Sequence, residues 1–312
     1  MRVACALLAL NFLCAVPGVA QDAPKRPKII GVAHISLFVH DIAKSREFYK
    51  DFLGFDEPFQ LDKSDGSLAL TFIKVNDRQY IELVPETKPD TDRLGHISIE
   101  VESAEAMRLY LKAHGVKVPD SVPKGRIKNS NFNVKDPDGH QVEIVQYEPD
   151  GWTVREKGKF MNGPRISKRM MHLGITVGDL DASMAFYRDL LGFQEIWRGS
   201  RDGKVLSWVN MKLPDSDDYI EFMLKDRPQT LSTLGTAHHI ALETPDIEKS
   251  KSELAARAEN AHYTKPLEVR TGTNRKRQMN LYDPDGTRTE MMEPGTVDGV
   301  SAPSSTAAPP KN

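Results

Sequence analysis

Apolar and polar residues alternate at two periods along the 312-residue chain, and the order of those periods repeats. Residues 34–39, HISLFV, alternate as a half-buried strand does, and Phe48, Tyr49, Phe52 and Leu53 then recur at helical spacing. Between them Asp41 stands where a helix N-cap belongs, and Gly54 supplies a left-handed stop. The same series returns with Asp179 as its cap, and 10 of 22 positions are identical between residues 34–55 and 172–193. Two further modules open on residues 94–101, LGHISIEV, and 237–244, AHHIALET. Their helices are SAEAMRLYLKAHG, stopped by Gly115, and DIEKSKSELAARAE. Each module closes in short alternating runs, such as QYIELVPE at 79–86 and DYIEFMLKD at 218–226. The pattern predicts an α+β fold of two tandem domains, each made of paired βαβββ modules.

The boundaries follow from where the periods fail. Residues 29–148 are expected to form one domain, 149–167 a linker, 168–294 a second domain, and the Ser-, Ala- and Pro-rich 295–312 a disordered tail. The turns Asp136-Pro137-Asp138-Gly139 and Asp283-Pro284-Asp285-Gly286 read as tight hairpin turns rather than calcium loops, because the other calcium ligands are missing. Residues 1–20 differ from the rest: Arg2 precedes a short apolar run, and Gly18-Val19-Ala20 offers small residues for cleavage. This reads as a signal peptide removed before Gln21, which places the mature chain in the periplasm or outside the cell, with no stable membrane insertion. Cys5 and Cys14 both lie in that segment, so the mature chain is expected to lack disulfides and thiolate ligands. A net charge of −2 gives no basis for nucleic-acid binding, and 39% hydrophobic residues suffice for two cores. The expected partner is a small molecule, and nothing in the chain fixes an oligomeric state.

Candidate chemistry sits at matched places in the four modules. His34, His96, His172 and His239 each begin a first strand; His238 precedes the last, and alignment of GHISIEV with HHIALET selects His239. Glu82, Glu143, Glu221 and Glu290 each occupy a final strand. If modules pair, each half gathers two imidazoles and two carboxylates. Nitrogen and oxygen without sulfur suit a divalent ion such as Zn, Ni, Co, Mn or Fe(II) rather than Ca or Mg. Facing carboxylates buried without a cation would be costly. The basic run Arg270, Arg275, Lys276 and Arg277 could meet an anionic substrate group but reads first as a solvated strand face, and His40, His114, His140 and His262, which have no repeated counterparts, read as surface residues.

The stretch 34–55 is similar to the glyoxalase I signature, and residues 29–294 as a whole resemble the vicinal oxygen chelate superfamily. That superfamily includes glyoxalase I, extradiol dioxygenases, methylmalonyl-CoA epimerase and the fosfomycin and bleomycin resistance proteins. The resemblance implies paired modules that hold a metal, with His34, Glu82, His96 and Glu143 as one ligand set and His172, Glu221, His239 and Glu290 as the other. It further implies proton transfer by Glu143 or Glu290 on a small substrate carrying two vicinal oxygens. Two-domain extradiol enzymes are the alternative, since His172, His239 and Glu290 match their Fe(II) triad. Glu221 stands where their acid-base histidine belongs, and Asn280 and Thr271 stand near where their outer His and Tyr are sought. A non-catalytic binding protein of the bleomycin-resistance type is the third possibility, and the full ligand set counts against it.

Overall fold

The structure, a computed structural model, describes residues 24–89, 92–224 and 237–311. Residues 1–23 fall outside that description, and the expected signal peptide with its two cysteines falls with them. The alternating runs form two mixed sheets. The first comprises β1 (Ile29–Val39), β2 (Asp56–Asp62), β3 (Leu68–Lys74), β4 (Tyr80–Pro85), β5 (Leu94–Val101), β6 (Ser130–Lys135) and β7 (Gln141–Gln146), in the order β2-β3-β4-β1-β5-β7-β6. The second comprises β8 (Met170–Val177), β9 (Gln194–Ser200), β10 (Leu206–Lys212), β11 (Tyr219–Leu224), β12 (His239–Glu243), β13 (Val269–Thr271), β14 (Lys276–Tyr282) and β15 (Arg288–Thr296), in the order β13-β14-β15-β12-β8-β11-β10-β9. In each sheet two modules join through their antiparallel first strands, β1 with β5 and β8 with β12. The second module departs from the expected four strands. Its 116–128 stretch adds only a bridge between Lys124 and Ser130, since Pro119 and Pro123 have no amide hydrogen for a ladder.

The helices start and stop where their caps predict. Asp41 accepts from the amides of Ala43 and Lys44 at 3.0 and 3.2 Å to open α1 (Ile42–Arg46). Ser103 caps α2 (Ala104–Ala113), Asp179 caps α4 (Leu180–Met184) and Asp246 caps α5 (Ile247–Ala258). Both α1 and α4 widen into a π-helical turn, Glu47–Phe52 and Ala185–Leu190, before Gly54 and Gly192 reverse the chain at φ 77° and 78°. Strand alternation then sorts the two sheet faces. Ile35, Ile81, Ile97 and Ile144 face the helices and join Phe48, Phe52, Met107 and Leu111 in a core that runs through both halves. The opposite parity of the same strands carries His34, Glu82, His96 and Glu143.

The halves pack through a reciprocal arrangement. Tyr49 donates to Asp283 at 3.1 Å, and its repeat Tyr187 donates to Asp136 at 3.0 Å. The third residue of each DPDG turn repeats the exchange: the amide of His40 donates to Asp285 and that of Gly178 to Asp138. Each turn therefore caps a helix entry in the other half, and Gly139 and Gly286 make the turns at φ 90° and 85°. His140, expected at the surface, is instead drawn into this interface by Asp136 at 2.9 Å, beside the buried His238 ring.

Two connecting segments are also tied down. Residues 149–167 contain a helical turn, α3 (Trp152–Arg155), and the fully buried Lys74 donates to the carbonyls of Glu156 and Lys159 at 2.9 and 2.7 Å. The tail, expected to be disordered, makes backbone contacts with the sheet over its described part. Gly295 and Thr296 belong to β15, the Ser305 amide donates to Arg198 of the edge strand β9, and Leu206 donates to Ala308. An otherwise unpaired sheet edge gives the tail backbone its partners.

Candidate metal centres

In the first half the four predicted residues meet on one sheet face. β1 and β5 bring His34 Nε2 and His96 Nε2 to 2.8 Å from each other. Glu143 on β7 lies 3.7 Å from each histidine nitrogen, and Glu82 on β4 lies 3.7 Å from His34 and 4.0 Å from His96. Two serines that sequence reasoning passed over hold the carboxylates: Ser36 donates to Glu82 at 3.1 Å and Ser98 to Glu143 at 3.2 Å. Each sits two residues after a histidine, so the repeated HIS tripeptide was the available signal. Burial pushes Glu82 up to about 7, and burial with the charge of Glu82 pushes Glu143 up to about 8. Burial lowers His96 to about 4, and His34 falls too, through burial and then the neighbouring His96.

The second half gathers His172, His239, Glu221 and Glu290 in the same way. The two Nε2 atoms are 3.1 Å apart; Glu290 lies 3.6 Å from His172 and 3.9 Å from His239, and Glu221 lies 3.3 Å from His239. Gly174 and Ala241 occupy the register positions of Ser36 and Ser98, so this pair of glutamates lacks the serine props. Gly174 is needed there, because a Cβ would stand 1.9 Å from His239 Cε1. His239 Nδ1 donates to the Ala237 carbonyl at 2.8 Å, which turns the Nε2 lone pair toward the cluster. Arg288, a residue that sequence reasoning did not single out, lays its guanidinium against the His239 ring. Burial lowers His172 and His239 and pushes Glu290 up to about 7.

Both donor sets fit a divalent metal ion. Among the described residues, His34, His96 and Glu143 offer ligand atoms within 4.8 Å of one another, and so do His172, His239 and Glu290. Each set buries two carboxylates beside two neutral imidazoles, and burial raises Glu82, Glu143 and Glu290 where a bound cation would lower them. Glu82 and Glu221 stand as the fourth donor of each set. Of the expected solvated basic run, Arg275 pairs with Asp298 and Arg277 with Glu248 and Glu293, whereas Arg270 lines the cavity in front of the second cluster. Thr271 lines that cavity as well, and Asn280 pairs in register with Glu290. Among the described residues, no helix is long and apolar enough to cross a membrane.

Known proteins place this geometry in context. A lactoylglutathione lyase of Pseudomonas putida is 27% identical over 173 residues, covering 46% of this chain and 99% of that protein. An iron-dependent extradiol dioxygenase of Rhodococcus jostii is 33% identical over 144 residues, covering 40% of this chain and 47% of that protein. This chain thus spans about half the length of the dioxygenase. The crystal structure of the Mn(II)-bound glyoxalase from Novosphingobium aromaticivorans superposes with a TM-score of 0.64 at 16% identity, over 91% of this chain and 89% of that one. At that identity the likeness speaks for the fold. The model of the Glyoxalase/Bleomycin resistance protein/Dioxygenase superfamily matches residues 31–144 and 169–291, most of both halves, and the chain belongs to that superfamily.

Proposed function

We propose that this protein is a metal-dependent lyase or isomerase of the glyoxalase type, acting on a small substrate with two vicinal oxygens. The observation that carries the reading is the second carboxylate of each cluster: Glu82 beside His34 and His96, and Glu221 beside His239. A divalent ion held by either set would supply a Lewis acid for the two substrate oxygens. The remaining chemistry belongs to the chain. Glu143 in the first half, or Glu290 in the second, takes a proton from one oxygen-bearing carbon and returns it to the adjacent carbon. Ser98 fixes one oxygen of Glu143 and leaves the other for the proton. Phe59, Phe72 and Trp152 line the approach to this glutamate.

The test is proton exchange. Metal-loaded protein in deuterated water should exchange the carbon-bound hydrogen of a neutral hydroxyketone, followed by NMR. Glu143→Gln together with Glu290→Gln should slow exchange by about 10²–10⁴-fold, the usual scale for a lost general base. Rapid iron-dependent oxygen uptake with catechols, without such exchange, would overturn the reading. It would favour the second reading, ring cleavage, which the 33% identity to the Rhodococcus dioxygenase keeps in view. We further propose export of the mature chain from Gln21, on the pattern of residues 1–20. N-terminal sequencing that finds Met1 retained would reject it.

A further inference from the structure

The two halves repeat their donor sets but not the cavities in front of them. The first cavity, about 230 Å³, is walled by Phe59, Leu70, Phe72, Tyr80 and Trp152. Among the described residues its one arginine, Arg126, is exposed and donates to the Asp62 carbonyl at 2.6 Å. The second cavity, about 360 Å³, is lined by three arginines, Arg201, Arg270 and Arg288.

Each of these cations traces to a local divergence between the repeats. The strand pairs Phe72 with Glu82 and Asn210 with Glu221 put Leu70 and Trp208 at matching positions, and Trp208 carries the Arg201 guanidinium over its ring at 5.4 Å. Two residues before the last glutamate, Gln141 in the first half becomes Arg288 in the second. Arg270 lies on β13, a strand without a first-half counterpart. None of the three forms an ion pair with a carboxylate among the described residues. Arg288 Nε and Trp197 Nε1 are buried donors without a partner. A divalent ion would offset Glu221 and Glu290, leaving three guanidiniums facing the cavity unneutralised.

We propose that the two centres receive different ligands: the second a small vicinal-oxygen compound bearing an anionic group, held by Arg201, Arg270 and Arg288, and the first an uncharged, apolar or aromatic one. This rests on the metal-centre reading above and goes beyond it in assigning a substrate class to each half. A planar guanidinium receives a carboxylate or phosphate in paired hydrogen bonds. The first cavity instead sets any ligand anion against apolar walls and two carboxylates, with one exposed guanidinium, Arg126, where the second has three among the described residues.

The chain's tryptophans make the halves separately readable. Trp152 lines the first cavity, Trp197 and Trp208 the second, and there are 3 in all. Catechol and 3,4-dihydroxybenzoate differ by one carboxylate and would be titrated against zinc-loaded full-length protein by fluorescence. Trp152→Phe reports the second half, and Trp197→Phe with Trp208→Phe reports the first. The second half should bind the carboxylate compound tighter than catechol by about tenfold or more, the scale of one charge-assisted hydrogen bond. The first half should show the reverse order. Arg201→Ala with Arg270→Ala should erase the preference in the second half and leave the first as it was. Inorganic phosphate competing at lower concentration than acetate would mark phosphate as the preferred anion, and the opposite order a carboxylate. The same ratio in both halves, or no binding to either, in protein carrying two metal ions would overturn the inference. A charge preference that persists with no metal in the second half would instead leave it standing and remove the metal-centre reading beneath it.

Discussion

Gly174→Ala isolates the geometry of the second centre with a single methyl group. The added Cβ would lie 1.9 Å from His239 Cε1, 2.0 Å from Nδ1 and 2.7 Å from Nε2. Comfortable contact between such atoms is about 3.5–4.0 Å, so the ring must retreat by roughly 1.5–2 Å. That retreat breaks the 2.8 Å bond to Ala237 and moves Nε2 away from its partners at 3.1 and 3.3 Å, His172 and Glu221. Metal sites tolerate departures of about 0.2 Å in ligand distance, so the second centre should lose its ion. Overpacking should also cost about 1–3 kcal/mol of stability, seen as a lower denaturation midpoint. The first centre has Ser36 at the matching place and should keep its metal. Elemental analysis of Gly174→Ala decides the matter. A full second-half metal content with an unchanged midpoint would show that His239 does not stand where the argument needs it.

Ser98→Ala removes the hydroxyl that fixes Glu143 and should weaken first-half metal affinity by about 10–100-fold, measured by competition with a chelating dye. At the interface, Tyr49→Phe should cost more than Tyr187→Phe in denaturant melts. Asp136 Oδ2 retains His140 when Tyr187 is removed, whereas Asp283 Oδ2 loses the partner it has in Tyr49; the expected losses are about 1 and about 1–3 kcal/mol. Burial, and then the charge of Asp285, pushes Asp283 up to about 7. Its folded form therefore holds a proton that the unfolded chain, with a value of about 4, releases earlier. The stability it contributes is full below about 4 and is lost as pH rises toward 7, and Asp283→Asn should flatten that part of the stability profile. An unchanged profile in the variant would refute the assignment.

The candidate ligand residues were legible as a matched set because strand parity and a fourfold repeat both act along the sequence, where they can be counted. Parity puts His34 on the face opposite Ile35 and Glu82 on the face opposite Ile81, and the caps Asp41 and Asp179 need only their own first turns. The strand lost from the second module went unread, although Pro119 and Pro123 carry its signal. What stayed hidden depends on pairing across the fold. Ser36 and Ser98 read as ordinary polar alternation until register sets each beside a glutamate. Tyr49 and Tyr187 read as core residues, and only the packing of the halves gives their hydroxyls an aspartate. Arg288 carries no signal of its own in the sequence, yet parallel pairing with His239 turns it onto the imidazole. The tail's composition spoke for disorder, and the open edge of β9 gave its backbone a reason to be held.

Each half is proposed to hold one divalent ion through two histidines and two glutamates. Elemental analysis of the purified wild type and of two double variants, His34→Ala/His96→Ala and His172→Ala/His239→Ala, tests it most directly. About two ions per chain are expected in the wild type and about one in each double variant, the survivor lying in the untouched half. Undiminished metal in either variant, or a wild-type protein that takes up no metal when supplied with Zn, Ni, Co, Mn and Fe(II) in turn, would contradict it.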